Sequence, residues 1–129
     1  MNRVYKIATY GCLGLFGIYL FLCSDIVRAD AADDVRAIST ICAASTGIIA
    51  IKTEGIAGEI ILVDARWWKE FLVSWVNNDE AVALSMIEAV AMQIQDNFDN
   101  GIIDWDRFID VATQCSAAKA EIILEAAKE

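Results

Sequence analysis

The 129-residue chain contains no proline, and this absence constrains its fold more than any other feature of the sequence. At an average usage of about 5%, a chain of this length carries roughly six prolines. Proline removes a backbone donor and breaks helix interiors, so a chain without it can form long uninterrupted helices. The sequence therefore predicts an all-α protein.

Four segments of residues 32–129 follow a helical pattern, because apolar or small residues recur in them at spacings of three and four. The four stripes are Val35, Ile38, Cys42, Ser45 and Ile49; Ile61, Ala65, Trp68, Leu72 and Trp75; Ala83, Ile87, Val90, Ile94 and Phe98; and Trp105, Phe108, Ala112, Cys115, Ile122 and Ala126. The apolar run 60–63 would also suit a buried strand, but we find no second run to pair with it. Short connections between four helices predict a small antiparallel four-helix bundle.

Small and polar residues mark the expected ends of these helices. The first helix is expected to end near Thr53, with Gly55 and Gly58 as terminators, and the second to begin at Glu59. Asp79 has the side chain of an N-cap residue and is expected to begin the third helix.

The first 31 residues have the order of a signal peptide. Arg3 and Lys6 precede 17 uncharged residues at 7–23, and Ala29 and Ala31 are the small residues that a signal peptidase accepts before its cleavage point. We expect cleavage after Ala31, which leaves residues 32–129 as one exported helical domain.

Two alternatives keep the N-terminal segment in place. Residues 7–27 are long enough, at about 1.5 Å per residue, to persist as a single transmembrane helix. Cys23 is a candidate for lipidation, although Leu22 stands where a small residue is usual. In all three cases the basic N-terminus stays inside and the domain is exported. The expected location is periplasmic or secreted, with a single-pass inner-membrane anchored form as the alternative.

The exported part is strongly acidic and the whole chain lacks histidine. Of the 10 basic and 19 acidic residues, residues 32–129 keep 7 and 17, a net charge of −10. Nucleic-acid binding needs clustered Lys and Arg, so this balance excludes it. The absence of His excludes Ser-His-Asp and Cys-His nucleophile systems and the zinc sites that contain His. We therefore expect no enzyme, no catalytic residues and no cofactor.

Two cysteines remain in the exported part, Cys42 and Cys115, and each lies on the apolar stripe of its helix. In an oxidising compartment such a pair predicts a disulfide between the first and last helices. Two buried reduced thiols are the alternative. A redox function is not indicated, because a C-x-x-C pair is absent.

The segment 96–107 shares part of its spacing with a calcium-binding EF-hand loop. Asp96 stands at the first ligand position and Gly101 at the turn. However, Phe98 has no oxygen for the third position, and Arg107 puts a cation where a bidentate Glu should close the site. We therefore expect no metal site.

A simpler interpretation explains the same residues. Residues 100–101 are typical of a helix stop, and Asp104 is typical of the cap that begins the next helix. A weak calcium site of another kind is the alternative. Its candidate ligands are Asp96, Asp99, Asp104 and Asp106.

Four aromatic residues fall within nine positions of the second helix, at Trp67, Trp68, Phe71 and Trp75. Trp68 and Trp75 share the core stripe, whereas Trp67 and Phe71 lie about 100° away on the helix. Either the helix is central and buries both sectors, or Trp67 and Phe71 are surface anchors for a partner. These two residues are the partner-binding candidates.

Together these observations predict a small non-enzymatic cell-envelope protein that binds another protein. An inhibitor, an immunity factor, a chaperone and an assembly subunit all fit this description. The alternative is a membrane-anchored subunit in which residues 7–27 persist as a transmembrane helix, and an ion-binding module is a third class.

Overall fold

The computed structural model describes residues 31–128, which form four α-helices joined by short connections. The helices are α1 (Ala31–Lys52), α2 (Ile56–Trp75), α3 (Glu80–Asp99) and α4 (Trp105–Lys128). No strand occurs among the described residues, and the apolar run 60–63 lies within α2. The predicted all-α four-helix bundle is confirmed. The predicted signal peptide and the alternative anchor at 7–27 lie outside the described residues, apart from Ala31.

Helix α1 lies at the centre of the bundle, because it packs against each of the other three helices. Between residues 35 and 46, every residue except Arg36 is buried. The apolar stripe expected from the sequence is therefore only part of what this helix buries. The small side chains at 43–46 allow neighbouring helices to come close, since the distance between helix axes is set by the side chains at the contact.

Three of the four buried hydroxyl groups of α1 are satisfied by the helix itself, whereas the buried Ser45 hydroxyl has no hydrogen-bond partner among the described residues. The side chains of Ser39, Thr40 and Thr46 each donate to the backbone carbonyl four residues earlier, at 2.7, 2.6 and 2.6 Å. A buried hydroxyl without a partner would be destabilising, and this local bond removes the cost without a partner from another helix. Polar residues can therefore occupy the centre of this core.

Among the described residues, one helix is long and apolar enough to cross a membrane, and it is this same segment, Ala32–Lys52. However, 78% of its apolar window is buried inside the bundle. A helix that is apolar on all sides is also what the core of a helical domain requires.

The connection from α1 to α2 is tighter than the sequence indicated. Helix α2 begins at Ile56, directly after Gly55, whose φ of 77° is a left-handed conformation that glycine adopts without strain. Gly58, expected as a terminator, is instead buried in the first turn of α2. A Cβ at Gly58 would collide with the carbonyl oxygen of Thr53, so the turn needs glycine at this position.

The other two connections have the expected caps. The Asp79 carboxylate accepts a hydrogen bond from the Val82 backbone N–H at 3.2 Å, and the Asp104 carboxylate accepts one from the Arg107 N–H at 2.9 Å. Each satisfies a backbone donor that the first turn of a helix leaves without a partner. Residues 77–78, both with φ of 58°, reverse the chain between α2 and α3.

Cys42 of α1 and Cys115 of α4 form a disulfide in the structure. Their Cα atoms are 5.6 Å apart, within the usual range for such a bridge. Both side chains are fully buried, so the link lies inside the core and ties the last helix to the central one. This is the pairing that the sequence analysis proposed.

Loss of this bridge is expected to destabilise the protein strongly. Because the two cysteines are 73 residues apart, the loop-entropy contribution is about 4 kcal/mol. Cys42→Ala should lower the melting temperature by roughly 15 °C or more, and reduced wild-type protein should melt near the variant. Peptide mapping of non-reduced protein from the cell envelope checks the pairing itself. Two alkylatable thiols at positions 42 and 115 would contradict it.

Two glycine substitutions are expected to act in opposite directions. Gly58→Ala should destabilise the bundle by about 1 to 3 kcal/mol, because the added methyl group overlaps the Thr53 carbonyl. Gly47→Ala is the matched control, since a Cβ at this position inside α1 meets no atom within 4 Å. It should stabilise by up to about 1 kcal/mol through helix propensity alone. Urea unfolding of both variants tests the pair, and equal effects would refute the explanation.

Candidate functional site

Trp67 and Phe71 lie one helical turn apart on α2, and both are partly buried. Their rings are stacked, with centroids 5.1 Å apart and planes inclined by only 9°. Both also pack against the hydrophobic core. Trp68, between them in sequence, is fully buried, and its ring is perpendicular to that of Trp67. Trp67 and Phe71 are therefore core residues in part and surface residues in part, since both contact the core and still present part of their surface to solvent.

These two aromatic residues continue a row of exposed apolar side chains along α2. Ile56, Ile60 and Val63 are 75%, 62% and 58% exposed. The positions 56, 60, 63, 67 and 71 follow spacings of four, three, four and four, so they share one side of the helix. We name this row the α2 stripe. Its first half was not expected from the sequence, although the helical spacing of the apolar residues that lead up to Trp67 was the available signal.

The core side of α2 is a different sector of the same helix. Gly58, Ala65, Trp68 and Leu72 are its buried residues. At about 100° per residue, they are centred roughly 145° around the helix from the centre of the α2 stripe. Helix α2 therefore has two apolar sectors, one covered by α1 and one left open.

A polar cluster fixes the position of Trp67 beside α4. The Lys119 ammonium lies 2.8 Å from the Asp64 carboxylate and 5.6 Å from the centroid of the Trp67 ring. Ser116 donates a hydrogen bond to the other oxygen of Asp64, at 3.1 Å. Lys119 thus contributes both an ion pair and a cation–π contact, which restrain the indole ring before any partner arrives.

The same cluster brings together a hydroxyl, a carboxylate and an amine. Both oxygens of Asp64 accept bonds, one from Lys119 and one from Ser116. We interpret the cluster as a clasp between α2 and α4.

A second ionic contact joins α2 to α3. The Lys69 ammonium is 3.3 Å from the carboxylates of both Glu70 and Glu80. The hydrogen bond to Glu80, followed by the one to Glu70, raises the pKa of Lys69. Since the ordinary pKa of lysine is about 10.4, the residue is cationic at neutral pH and serves as a fixed charge.

The candidate calcium ligands are dispersed and already bonded in part. Asp104 caps α4, and Asp99 accepts a hydrogen bond from the Gln95 amide at 2.9 Å. Asp96 and Asp106 are exposed. Within residues 31–128, no group of three His, Cys, Asp or Glu side chains is placed to hold a metal ion.

The chain matches no protein-family model, no curated protein and no solved structure.

Proposed function

We propose that this chain is a small non-enzymatic protein of the cell envelope that binds another protein through the α2 stripe, with Trp67 and Phe71 as the anchors. The observation that carries the proposal is the stripe itself, which a folded bundle leaves open to solvent. Contiguous exposed apolar surface is a common mark of protein interaction sites. An inhibitor, an immunity factor, a chaperone or an assembly subunit would each use such a surface.

The geometry of Trp67 and Phe71 supports their role as anchors. Tryptophan is enriched among the few residues that dominate binding energy. The ring of Trp67 is stacked on Phe71 and restrained by Lys119, so little side-chain entropy is lost when a partner covers it. Partial burial thus favours binding, because it holds the exposed part of each ring in one orientation.

We further propose that the domain acts outside the cytoplasm, as a periplasmic or secreted protein. Support comes from the basic and then apolar order of the N-terminus and from the buried Cys42–Cys115 bridge, which needs an oxidising compartment. The alternative is a single-pass inner-membrane subunit that retains residues 7–27.

The mass of the mature protein separates these two forms. If the leader is cleaved, intact-mass spectrometry of protein expressed as the full chain should show a polypeptide that begins at Ala32. An uncleaved chain that fractionates with membranes would favour the anchored subunit. Replacing Ala29 and Ala31 with Arg should block cleavage, because the peptidase accepts small residues at these positions.

The anchors are tested by comparing three neighbouring aromatic residues. Trp67→Ala and Phe71→Ala should weaken association with a protein recovered from the envelope by about 2 kcal/mol or more each, roughly a 30-fold rise in Kd. Trp68→Ala is the matched control, because this fully buried side chain should instead cost about 3 to 5 kcal/mol of folding stability. Binding is measured by calorimetry and stability by urea unfolding. If the first two variants lose stability as Trp68→Ala does and their folded fraction binds normally, the anchors are core residues and the site is wrong.

A further inference from the structure

Two of the three interhelical connections lie at the same end of the bundle. The Lys52 ammonium, at the end of α1, is 5.2 Å from the centroid of the Phe98 ring near the end of α3. The Phe98 ring is in turn 5.5 Å from that of Phe108 in the first turns of α4. The α1–α2 and α3–α4 connections are therefore neighbours.

Exposed isoleucines are concentrated at this end. Ile51 is 85% exposed and Ile102 is 71% exposed, one on each side of the Lys52–Phe98 contact. Ile56 and Ile60, the first residues of the α2 stripe, lie in the first two turns of α2, directly after the α1–α2 connection. We name these four residues the isoleucine end. It extends the α2 stripe onto the tip of the bundle.

Acidic side chains outnumber basic ones at the isoleucine end, where Lys52 and Arg107 are the two exposed bases. Glu54 and Glu59 flank Ile56, and Asp104 and Asp106 follow Ile102; all four are exposed. None of the four forms an ion pair with a lysine or arginine of residues 31–128. The ion pairs seen in that range involve other acids, namely Asp33, Asp64, Glu70, Glu80 and Glu125. Charge at this end is therefore available to a partner.

We propose that the isoleucine end binds a basic amphipathic segment of the partner protein. Apolar side chains of that segment would cover the isoleucines, and its Lys or Arg residues would pair with the four acids. This inference rests on the proposed function, since it gives the chemistry of the partner that covers the α2 stripe.

Charge complementarity favours a basic segment over a second copy of the chain and over an anionic membrane surface. A second copy of the chain related by twofold symmetry would place acidic rims against each other, and like charges across an interface are strongly unfavourable. An anionic membrane surface would be repelled for the same reason. A basic segment satisfies both the apolar surface and the four carboxylates.

The test uses two synthetic 14-residue amphipathic peptides, one of Leu and Lys and the other of Leu and Glu. Fluorescence anisotropy measures their binding to mature protein purified after expression of the full chain. The Leu/Lys peptide should bind at least tenfold more tightly than the Leu/Glu peptide. The double variant Ile51→Ser/Ile102→Ser, which leaves the α2 stripe intact, should weaken that binding at least tenfold. Its matched control is Met92→Ser/Leu124→Ser, which removes apolar residues that are 69% and 57% exposed elsewhere, and it should change binding less than twofold.

A second pair of variants tests the acidic rim. Glu59→Gln/Asp106→Asn should weaken Leu/Lys binding several-fold and flatten its dependence on salt. Glu88→Gln/Glu121→Gln removes the same charge from exposed positions of α3 and α4 that lie away from this tip, and it should weaken Leu/Lys binding less. Melting temperatures of these variants should stay within several degrees of the wild type, because every substituted side chain is exposed and the loss of Glu59 or Asp106 from a first helical turn removes only a weak interaction with the helix dipole.

Several results would overturn the inference. One is that neither peptide binds, or that both bind equally. Another is that the test and control variants have equal effects. A third is a dimer in solution that dissociates on Ile51→Ser/Ile102→Ser. Loss of peptide binding in Trp67→Ala alone would also overturn it while leaving the proposed function intact. So would an envelope protein whose binding depends on Trp67 but that contains no basic amphipathic segment: it would support the proposed function and contradict the inference about the partner's chemistry.

Discussion

Burial of α1 on all sides is the constraint on which the rest of the structure depends. A helix with apolar or small residues around its whole circumference cannot rest on a single neighbour, so α2, α3 and α4 must each pack against it. The hydroxyl groups of Ser39, Thr40 and Thr46 tolerate this burial because they donate to carbonyls of their own helix. The disulfide from Cys42 adds a covalent link from the middle of this helix to α4. The bundle is therefore better described as three helices packed around the central helix α1 than as two equivalent helix pairs.

The open sector of α2 follows from this arrangement. Contact with α1 sets the positions of the outer helices. The apolar residues of α2 that do not face α1 are therefore left without a neighbouring helix that covers them. The Asp64–Lys119 clasp joins α2 to α4 along one edge and orients Trp67. A polar clasp holds two helices in register without covering the apolar side chains between Ile56 and Val63. The candidate surface is thus a consequence of how the core is assembled.

Charge is distributed unevenly over this surface. Arg36, Lys69, Lys119 and Lys128 are engaged in ion pairs away from the tip that carries Gly55 and Gly101. At that tip Glu54, Glu59, Asp104 and Asp106 form no such pair and outnumber the bases Lys52 and Arg107. Surface ion pairs contribute little to stability, so this asymmetry has little effect on folding. The asymmetry instead affects which partners bind, because surface charge changes the rate of association and the discrimination between partners.

The sequence by itself determined the helical class and the number of helices, since proline content and apolar periodicity act locally along the chain. The caps at Asp79 and Asp104 were predictable for the same reason, because a cap bonds within its own first turn. The sequence named Cys42 and Cys115 as a candidate pair, because they are the two cysteines of residues 32–129, and left two buried thiols as the alternative. Trp67 and Phe71 could be named as candidates, but periodicity alone left open whether they were core or surface. Only the tertiary structure decided that they are both in part, that α1 is central, and that Gly58 lies inside α2. These outcomes depend on which helix covers which sector, and that choice is made by contacts between residues far apart in sequence, such as Asp64 with Lys119 and Lys52 with Phe98.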